Sequence, residues 1–272
     1  MRGIAAGAGR DLEDILLINV RSELLSSADE CTALAVAPEV ARDGQVLLGQ
    51  NWDWYTALKA EPILLRICQP QKPEILTLVE AGQVGKIGMN STGLGVCLNF
   101  MDHADQGSGL PIHVILRQML DCASLGDAVQ CALGIPRGGA ANLLLAHAEG
   151  EILNLELTAR DADFSYGDAR WLVHANHFES PRLRCGDLAL ATSRSTLVRA
   201  ARARRLLSAA ATRGTIGLDD CRTILADHAH GAYAICRHPV PSEPPLQQTT
   251  TCASLVMNLS ARTLYLASGQ PC

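Results

Sequence analysis

Glu30-Cys31-Thr32-Ala33-Leu34-Ala35-Val36, then Arg42-Asp43-Gly44-Gln45, then Val46-Leu47-Leu48-Gly49-Gln50-Asn51-Trp52-Asp53-Trp54, is the stretch on which the reading of this chain turns. Cys31 opens a strand-like apolar run. Asp43-Gly44 supplies the positive φ angles that a tight reversal needs, so the flanking runs are expected to pair as a β-hairpin. Asp53 then lies on the strand next to the one that Cys31 begins. The small polar connector Ser26-Ser27-Ala28-Asp29-Glu30 precedes the cysteine, a placement that suits exposure rather than burial.

A thiolate is a nucleophile, but near neutral pH it needs a base or a favourable field to form. If the Glu30–Cys31 bond is cut, the freed α-amine of Cys31 is such a base, because an unperturbed α-amine titrates near ~8. The same thiol can make the cut by attacking its own preceding carbonyl and passing through a thioester. Asp53 is then placed to orient the amine or the thiol by hydrogen bonding.

Working outward, the first 25 residues have helical spacing, with Ile15, Leu16, Val20 and Leu24 on roughly one face. Strands are expected at Ile63–Cys68, Ile75–Glu80, Gly93–Asn99, Asn142–His147, Ile152–Leu157 and Trp171–His174, and a final hairpin at Ser254–Leu259 and Thr263–Ala267. Helices are expected over 111–133, as two pieces with Ser124 capping the second, and over 193–210 and 218–229. This order lacks the strict strand–helix alternation of a parallel sheet. It indicates an α+β protein with largely antiparallel sheets and helices layered outside.

Composition excludes several classes. In 272 residues, apolar types make up 48% and charged types 19%, a globular balance. A net charge of −5 argues against nucleic-acid and membrane-surface partners. The basic run Arg199-Ala-Ala-Arg202-Ala-Arg204-Arg205 reads as a solvated helix face, and Lys86, among glycines, as a rim charge. With no membrane-length apolar run and no signal-like start, the expected location is the cytoplasm. The ten cysteines form no C-x-x-C pair; apart from Cys31 they read as small buried hydrophobes. Neither His174/His177 nor His228/His230 has a carboxylate at ligand spacing, so no metal is expected. Gly82-Gln-Val-Gly85-Lys86 fails as a phosphate loop, since Glu80 and Ile87 stand at its required Gly and Ser/Thr positions. No G-x-S-x-G elbow occurs.

Glu30-Cys31-Thr32, Gly49-Gln50-Asn51-Trp52-Asp53-Trp54, Glu80-Ala81-Gly82, Gly85-Lys86-Ile87-Gly88-Met89-Asn90, Gly93-Leu94-Gly95-Val96 and His174-Ala175-Asn176-His177-Phe178 occur in an order that resembles one family. It is the acyl-coenzyme A:6-aminopenicillanic acid acyltransferases, peptidase family C45, of the N-terminal-nucleophile hydrolases. The resemblance runs from about residue 10 to 268 and implies a four-layer αββα sandwich. It implies that Cys31 is both self-processing residue and nucleophile, that Asp53 is an orienting acid, and that Asn176 is a side-chain donor to the oxyanion hole. Trp54 and Asn90 are expected at the substrate. The expected organisation is a leader, residues 1–30, released by self-cleavage and able to stay associated with the catalytic domain 31–272. The family's precursors carry a longer segment before the nucleophile than the thirty residues here.

The expected activity is a cysteine amidohydrolase acting on a linear amide, such as an N-acyl amino acid, an N-acyl amine or a small peptide, without a cofactor. The alternative is an acyltransferase, with acyl-CoA or an amide as donor and an amine as acceptor. An uncleaved, non-catalytic binding module is the reading from another class. A papain-like Cys–His peptidase would instead make His174 or His177 essential.

Overall fold

The computed structural model describes residues 1–25, 30–58, 61–193 and 195–272, so most of the connector before Cys31 lies outside the described residues. The elements in chain order are α1 (Arg2–Ala8), α2 (Leu12–Leu25), β1 (Glu30–Val36), β2 (Leu47–Tyr55), β3 (Ile63–Ile67), β4 (Ile75–Val79), β5 (Ile87–Asn90), β6 (Leu94–Met101), α3 (Ile112–Leu120), α4 (Leu125–Leu133), β7 (Ala140–His147), β8 (Ile152–Leu157), β9 (Ala162–Ser165), β10 (Trp171–His174), α5 (Ala189–Thr192), α6 (Thr196–Arg213), α7 (Leu218–Leu225), β11 (Thr249–Asn258) and β12 (Thr263–Ser268).

The two runs pair as expected, in a register that sets Cys31 opposite Trp52 and Glu30 opposite Asp53. Asp43 and Gly44 do take positive φ, but inside a longer connection that also bridges Ala41 to Ile216. β1 and β2 belong to a five-stranded sheet ordered β10-β1-β2-β11-β12, and the other seven strands run β3 to β9 in chain order. Every pairing between these strands is antiparallel.

The period of two along β1 and β2 divides two cores. Cys31, Ala33, Ala35, Leu48, Trp52 and Trp54 face the second sheet. Leu34, Val36 and Leu47 face the other way, against Ala203, Leu207 and Ala210 of α6 and Cys221, Ile224 and Leu225 of α7. Helices α3 and α4 contact β5, β6 and β7 of the second sheet. The result is the expected α+β sandwich, layered αββα. Its sheets approach closely because small residues stand between them: a Cβ on Gly95 would lie 2.7 Å from Leu259 Cδ2 and 2.9 Å from Leu48 Cδ2. Gln50 bolts the sheets together, accepting from Leu98 N at 2.8 Å and donating to Leu98 O at 2.5 Å.

Several expectations need correction. Gly9, in the left-handed conformation, ends α1 and divides the N-terminal helix. On α2 the buried residues are Ile15, Asn19 and Ser22, whereas Leu16 and Leu24 are 46% and 62% exposed. Polar anchors set the helix rotation: the Asn19 amide donates to Gly82 O and accepts from Val84 N. Glu23 accepts from Ile112 N at 2.6 Å, and Arg21 pairs with Glu80. Lys86 is buried rather than at the rim, 3.6 Å from Glu80 Oε2 and 3.5 Å from the Trp52 ring centroid. Besides Cys31, only Cys97, Cys221, Cys236 and Cys252 are buried; Cys68, Cys185 and Cys272 are exposed. β5 and β9 were not anticipated, being four residues each and poor in β-branched types.

Candidate active site

β10 stops at His174, opposite Ala33, before it reaches the start of β1. The backbone of Cys31 therefore has no strand beside it on that edge, and side chains take the strand's place. Asn176 Oδ1 accepts from Cys31 N at 2.7 Å, and Arg199 Nη1 donates to Cys31 O at 2.5 Å. Arg199 also donates to Thr32 Oγ1 at 2.7 Å, to Asn176 Oδ1 at 2.9 Å and to Ser195 Oγ at 3.0 Å. Because two donors converge on Asn176 Oδ1, the amide can face them only with its oxygen. Its Nδ2 points the other way and donates to Phe100 O at 3.0 Å. Cys31 itself is 3% exposed.

Arg199 corrects the reading of the basic run. It is 1% exposed and shares the buried face of α6 with Thr196, Ala200, Ala203 and Leu207. Arg202 pairs with Asp227 and Arg204 with Glu179, so only Arg205 of the four is a solvated residue. The signal was present in the sequence, since helical period puts Arg199 in line with Ala203 and Leu207.

Asp53 sits on the opposite face of β2 from Trp52 and Trp54, fully buried. A register shift between Thr251 and Ala253 marks a β-bulge, beside which Thr251 Oγ1 donates to Asp53 Oδ1 at 2.6 Å. Arg237 Nε lies 3.9 Å from Asp53 Oδ2; its other nitrogens donate to Ser195 Oγ at 2.7 Å and Thr249 Oγ1 at 3.0 Å. Ser195 thus joins the two buried guanidinium groups. Arg237, Thr251 and Ser195 were not found from the sequence, because only the fold brings residues so distant to one place.

Trp54 is buried on the same face as Cys31, with the Arg21 guanidinium 4.8 Å from its ring centroid. Helix α2 thus lies against this tryptophan. Asn90, expected at the substrate, is elsewhere. Its amide donates to Leu120 O and Cys122 O and accepts from Thr92 N and Leu94 N, pinning the β5–β6 turn. From Leu94 to Phe100, which meets Asn176, is six residues of strand, about 20 Å.

The histidines expected near the site are engaged elsewhere. His174 lies in β10 as expected, but Asn176 and His177 lie beyond the strand, so strand alternation does not set their directions. Both ring nitrogens of His174 are used, by Ala175 O at 2.8 Å and Glu156 Oε1 at 2.7 Å. Burial pushes Glu156 up, but His174 and the backbone N–H groups of Glu179 and Ser180 outweigh it and hold the carboxyl below its usual range. His177 Nδ1 meets Thr196 Oγ1 at 2.9 Å, and burial lowers this imidazole to about 4, so it is neutral at pH 7. A groove of about 820 Å³ lined by Leu125, Val129, Leu133, Ile152 and Tyr166 shares no residue with this site.

Known proteins match this chain in fold and in sequence. The chain resembles a mutant form of the conjugated bile acid hydrolase of Clostridium perfringens, with a TM-score of 0.64 and 15% identity over 88% of this chain and 89% of that one. It resembles penicillin V acylase of Agrobacterium tumefaciens with a TM-score of 0.53 and 15% identity over 88% and 83%. At these identities the likeness speaks for the fold alone. The 40 kDa form of acyl-coenzyme A:6-aminopenicillanic-acid-acyltransferase from Emericella nidulans is 35% identical over 182 residues, which are 64% of this chain and 50% of that protein. The chain therefore spans about half the length of this curated relative. The sequence profile described as acyl-coenzyme A:6-aminopenicillanic acid acyl-transferase matches residues 40–272, and by that match the chain belongs to this family.

Proposed function

We propose that the protein is a self-activating cysteine amidohydrolase with Cys31 as its nucleophile. Cys31 Sγ attacks the Glu30 carbonyl, the acyl group moves from nitrogen to sulfur, and water hydrolyses the thioester. The products are a Glu30 carboxylate and a free Cys31 α-amine, dividing a leader 1–30 from a catalytic chain 31–272. That amine then takes the Sγ proton, the thiolate attacks the substrate amide carbonyl, and the protonated amine returns its proton to the leaving nitrogen. Water, with the amine again as base, releases the acid and restores the thiol.

The observation that carries this reading is the side-chain cap on Cys31: Asn176 Oδ1 at 2.7 Å from the nitrogen that becomes the amine, with buried Arg199 alongside. A nearby guanidinium disfavours the ammonium form, which keeps the amine available as a base. Asn176 Nδ2 carries a second hydrogen beyond the one given to Phe100 O, which serves as the oxyanion donor. Asp53, in register with Glu30, orients the new terminus. Trp54, on the face that Cys31 shares, is the side chain that meets the acyl group.

The substrate class is a linear amide such as an N-acyl amino acid, an N-acyl amine or a small peptide, and no cofactor takes part in these steps. The polar anchors of α2 support continued association of the leader after the cut. Among the described residues no helix is long and apolar enough to cross a membrane. Ten free thiols support a reducing compartment such as the cytoplasm. The family's description favours a second reading, in which an amine instead of water resolves the same thioester and acyl-CoA is the donor.

Intact mass spectrometry tests the first step: wild type yields fragments 1–30 and 31–272, and Cys31→Ala stays one chain. Matured protein is then offered N-acyl amino acids, alone and with an amine acceptor. Hydrolysis by an uncut wild-type chain would refute the amine-as-base mechanism.

A further inference from the structure

Four ligand-type side chains converge next to Arg237. His228, Cys236 and His238 come from the segment between α7 and β11, and Cys272 from the chain after β12. Their ligand atoms all lie within 4.8 Å of one another. His238 Nε2 is the common vertex, 3.0 Å from His228 Nε2, 3.7 Å from Cys236 Sγ and 3.5 Å from Cys272 Sγ.

Hydrogen bonding alone accounts poorly for this arrangement. An imidazole Nε2 has either one hydrogen or one lone pair, so it can serve one of those three neighbours well, not all three. A tetrahedral metal ion accounts for all of them. With Zn–N near 2.05 Å and Zn–S near 2.3 Å, the edges of such a centre are about 3.3 Å between nitrogens and about 3.5 Å between nitrogen and sulfur. The three separations agree with those edges to within a few tenths of an ångström. Two thiolates with two imidazoles in a tetrahedron is a donor set that selects zinc among common divalent ions. Cys236 is buried whereas His228 and Cys272 are exposed, which leaves the ion a path in from solvent.

We propose that His228, Cys236, His238 and Cys272 form a four-coordinate zinc site, replacing the expectation from sequence that no metal binds. Spacing concealed it, since Cys272 lies 34 residues beyond His238 and joins it only through the fold. Four protein ligands leave no open position, so the site is structural and not a source of activated water. Its position gives the role. Arg237 lies between two of the ligands in sequence and extends to Ser195, Thr249 and Asp53. Zinc therefore clamps the Arg237 segment to the chain after β12 and holds the guanidinium beside the Cys31 site. His228, Cys236, His238 and Cys272 act on the reaction only by positioning Arg237.

The test is metal analysis of full-length protein purified without chelators or a metal-affinity tag. About one zinc per chain is expected in wild type and equally in Cys31→Ala, whose metal content does not depend on the proposed nucleophile. His238→Ala and Cys236→Ser should each lose at least nine-tenths of the metal. Cys272→Ser, at an exposed position, should keep the fold by circular dichroism while binding zinc at least tenfold more weakly. Cobalt(II) in the wild-type site should give tetrahedral ligand-field bands and a thiolate charge-transfer band, both absent in Cys236→Ser. Under a mild chelator, mature enzyme should lose turnover and regain it with added zinc. Less than a tenth of an equivalent after zinc reconstitution would overturn the proposal. So would zinc content indifferent to these substitutions, or a Cys236–Cys272 disulfide in non-reducing peptide maps of freshly purified protein.

Discussion

Arg199→Met removes a buried positive charge beside the proposed base, and the geometry fixes the size of the effect. Cys31 N and Arg199 Nη2 share Asn176 Oδ1 at 2.7 and 2.9 Å, which holds the two nitrogens about 5 Å apart. At an effective dielectric of ~20, like charges at that distance repel by about 3 kcal/mol. That energy corresponds to about two pH units in the protonation of the Cys31 amine. Without Arg199, the acid limb of the kcat/KM profile moves up by that amount. At pH 7 roughly a tenth of the variant's sites then hold the base form, because an ordinary α-amine titrates near ~8. Turnover at pH 7 falls about tenfold and returns toward wild type by pH 9. Arg199→Lys keeps the charge and restores most of the profile. The assay is hydrolysis of an N-acyl amino acid from pH 5 to 9.5, normalised to cleaved chain by mass spectrometry. Acid limbs that coincide for wild type and Arg199→Met would show that the guanidinium does not tune the base.

Three further outcomes follow from the packing. Gln50→Leu leaves Leu98 N–H and C=O unpaired between the sheets, and should lower stability by about 2–4 kcal/mol, read as a lower urea midpoint at unchanged slope. Thr251→Val removes the hydroxyl that donates to Asp53, and should slow self-cleavage at least tenfold in a mass-spectrometric time course, with the melting temperature moving little. His113 is lowered to about 3, first by burial and then by Lys86 and Arg21, so the unfolded chain binds its proton more readily than the folded one. Its contribution to stability is complete above its ordinary value near ~6.5 and is lost as pH falls toward 3, costing about 2 kcal/mol by pH 5; His113→Gln should flatten that part of the stability–pH curve.

What the sequence disclosed follows the range of each signal. The hairpin, the Ser124 cap and strands such as Ile152–Leu157 depend on neighbours within a few residues, and they appear as expected. Cys31, Asp53 and Asn176 were picked out through motif order, and contacts through Arg199, Ser195, Arg237 and Thr251 join them in the structure. Lys86 and Arg199 were misread for one reason: composition makes a cation look solvated, and only tertiary structure reveals its partner. Lys86 has Glu80 and the face of Trp52, and Arg199 has the backbone of Cys31. Asn90 was misread in the opposite direction, a polar residue in a matching motif whose hydrogen bonds hold the β5–β6 turn and tie it to the end of α3.

The unfinished ladder at the edge of β1 links these features. Had β10 continued opposite Cys31, its backbone would have satisfied the Cys31 N–H and C=O, and no charge would be needed there. Because β10 ends at His174, a neutral amide and a buried guanidinium fill the gap. A strand offers one fixed acceptor and no charge. Asn176 with Arg199 offers an acceptor that can hold an amine as readily as an amide, in a field that disfavours its protonation. The same groups can therefore serve the chain before and after the proposed cut at Glu30–Cys31. This predicts that Asn176→Asp, which places a carboxylate opposite that nitrogen, favours the ammonium form and suppresses turnover at neutral pH more than it lowers stability. Equal losses of stability and rate in that variant would assign Asn176 to the fold and not to the chemistry.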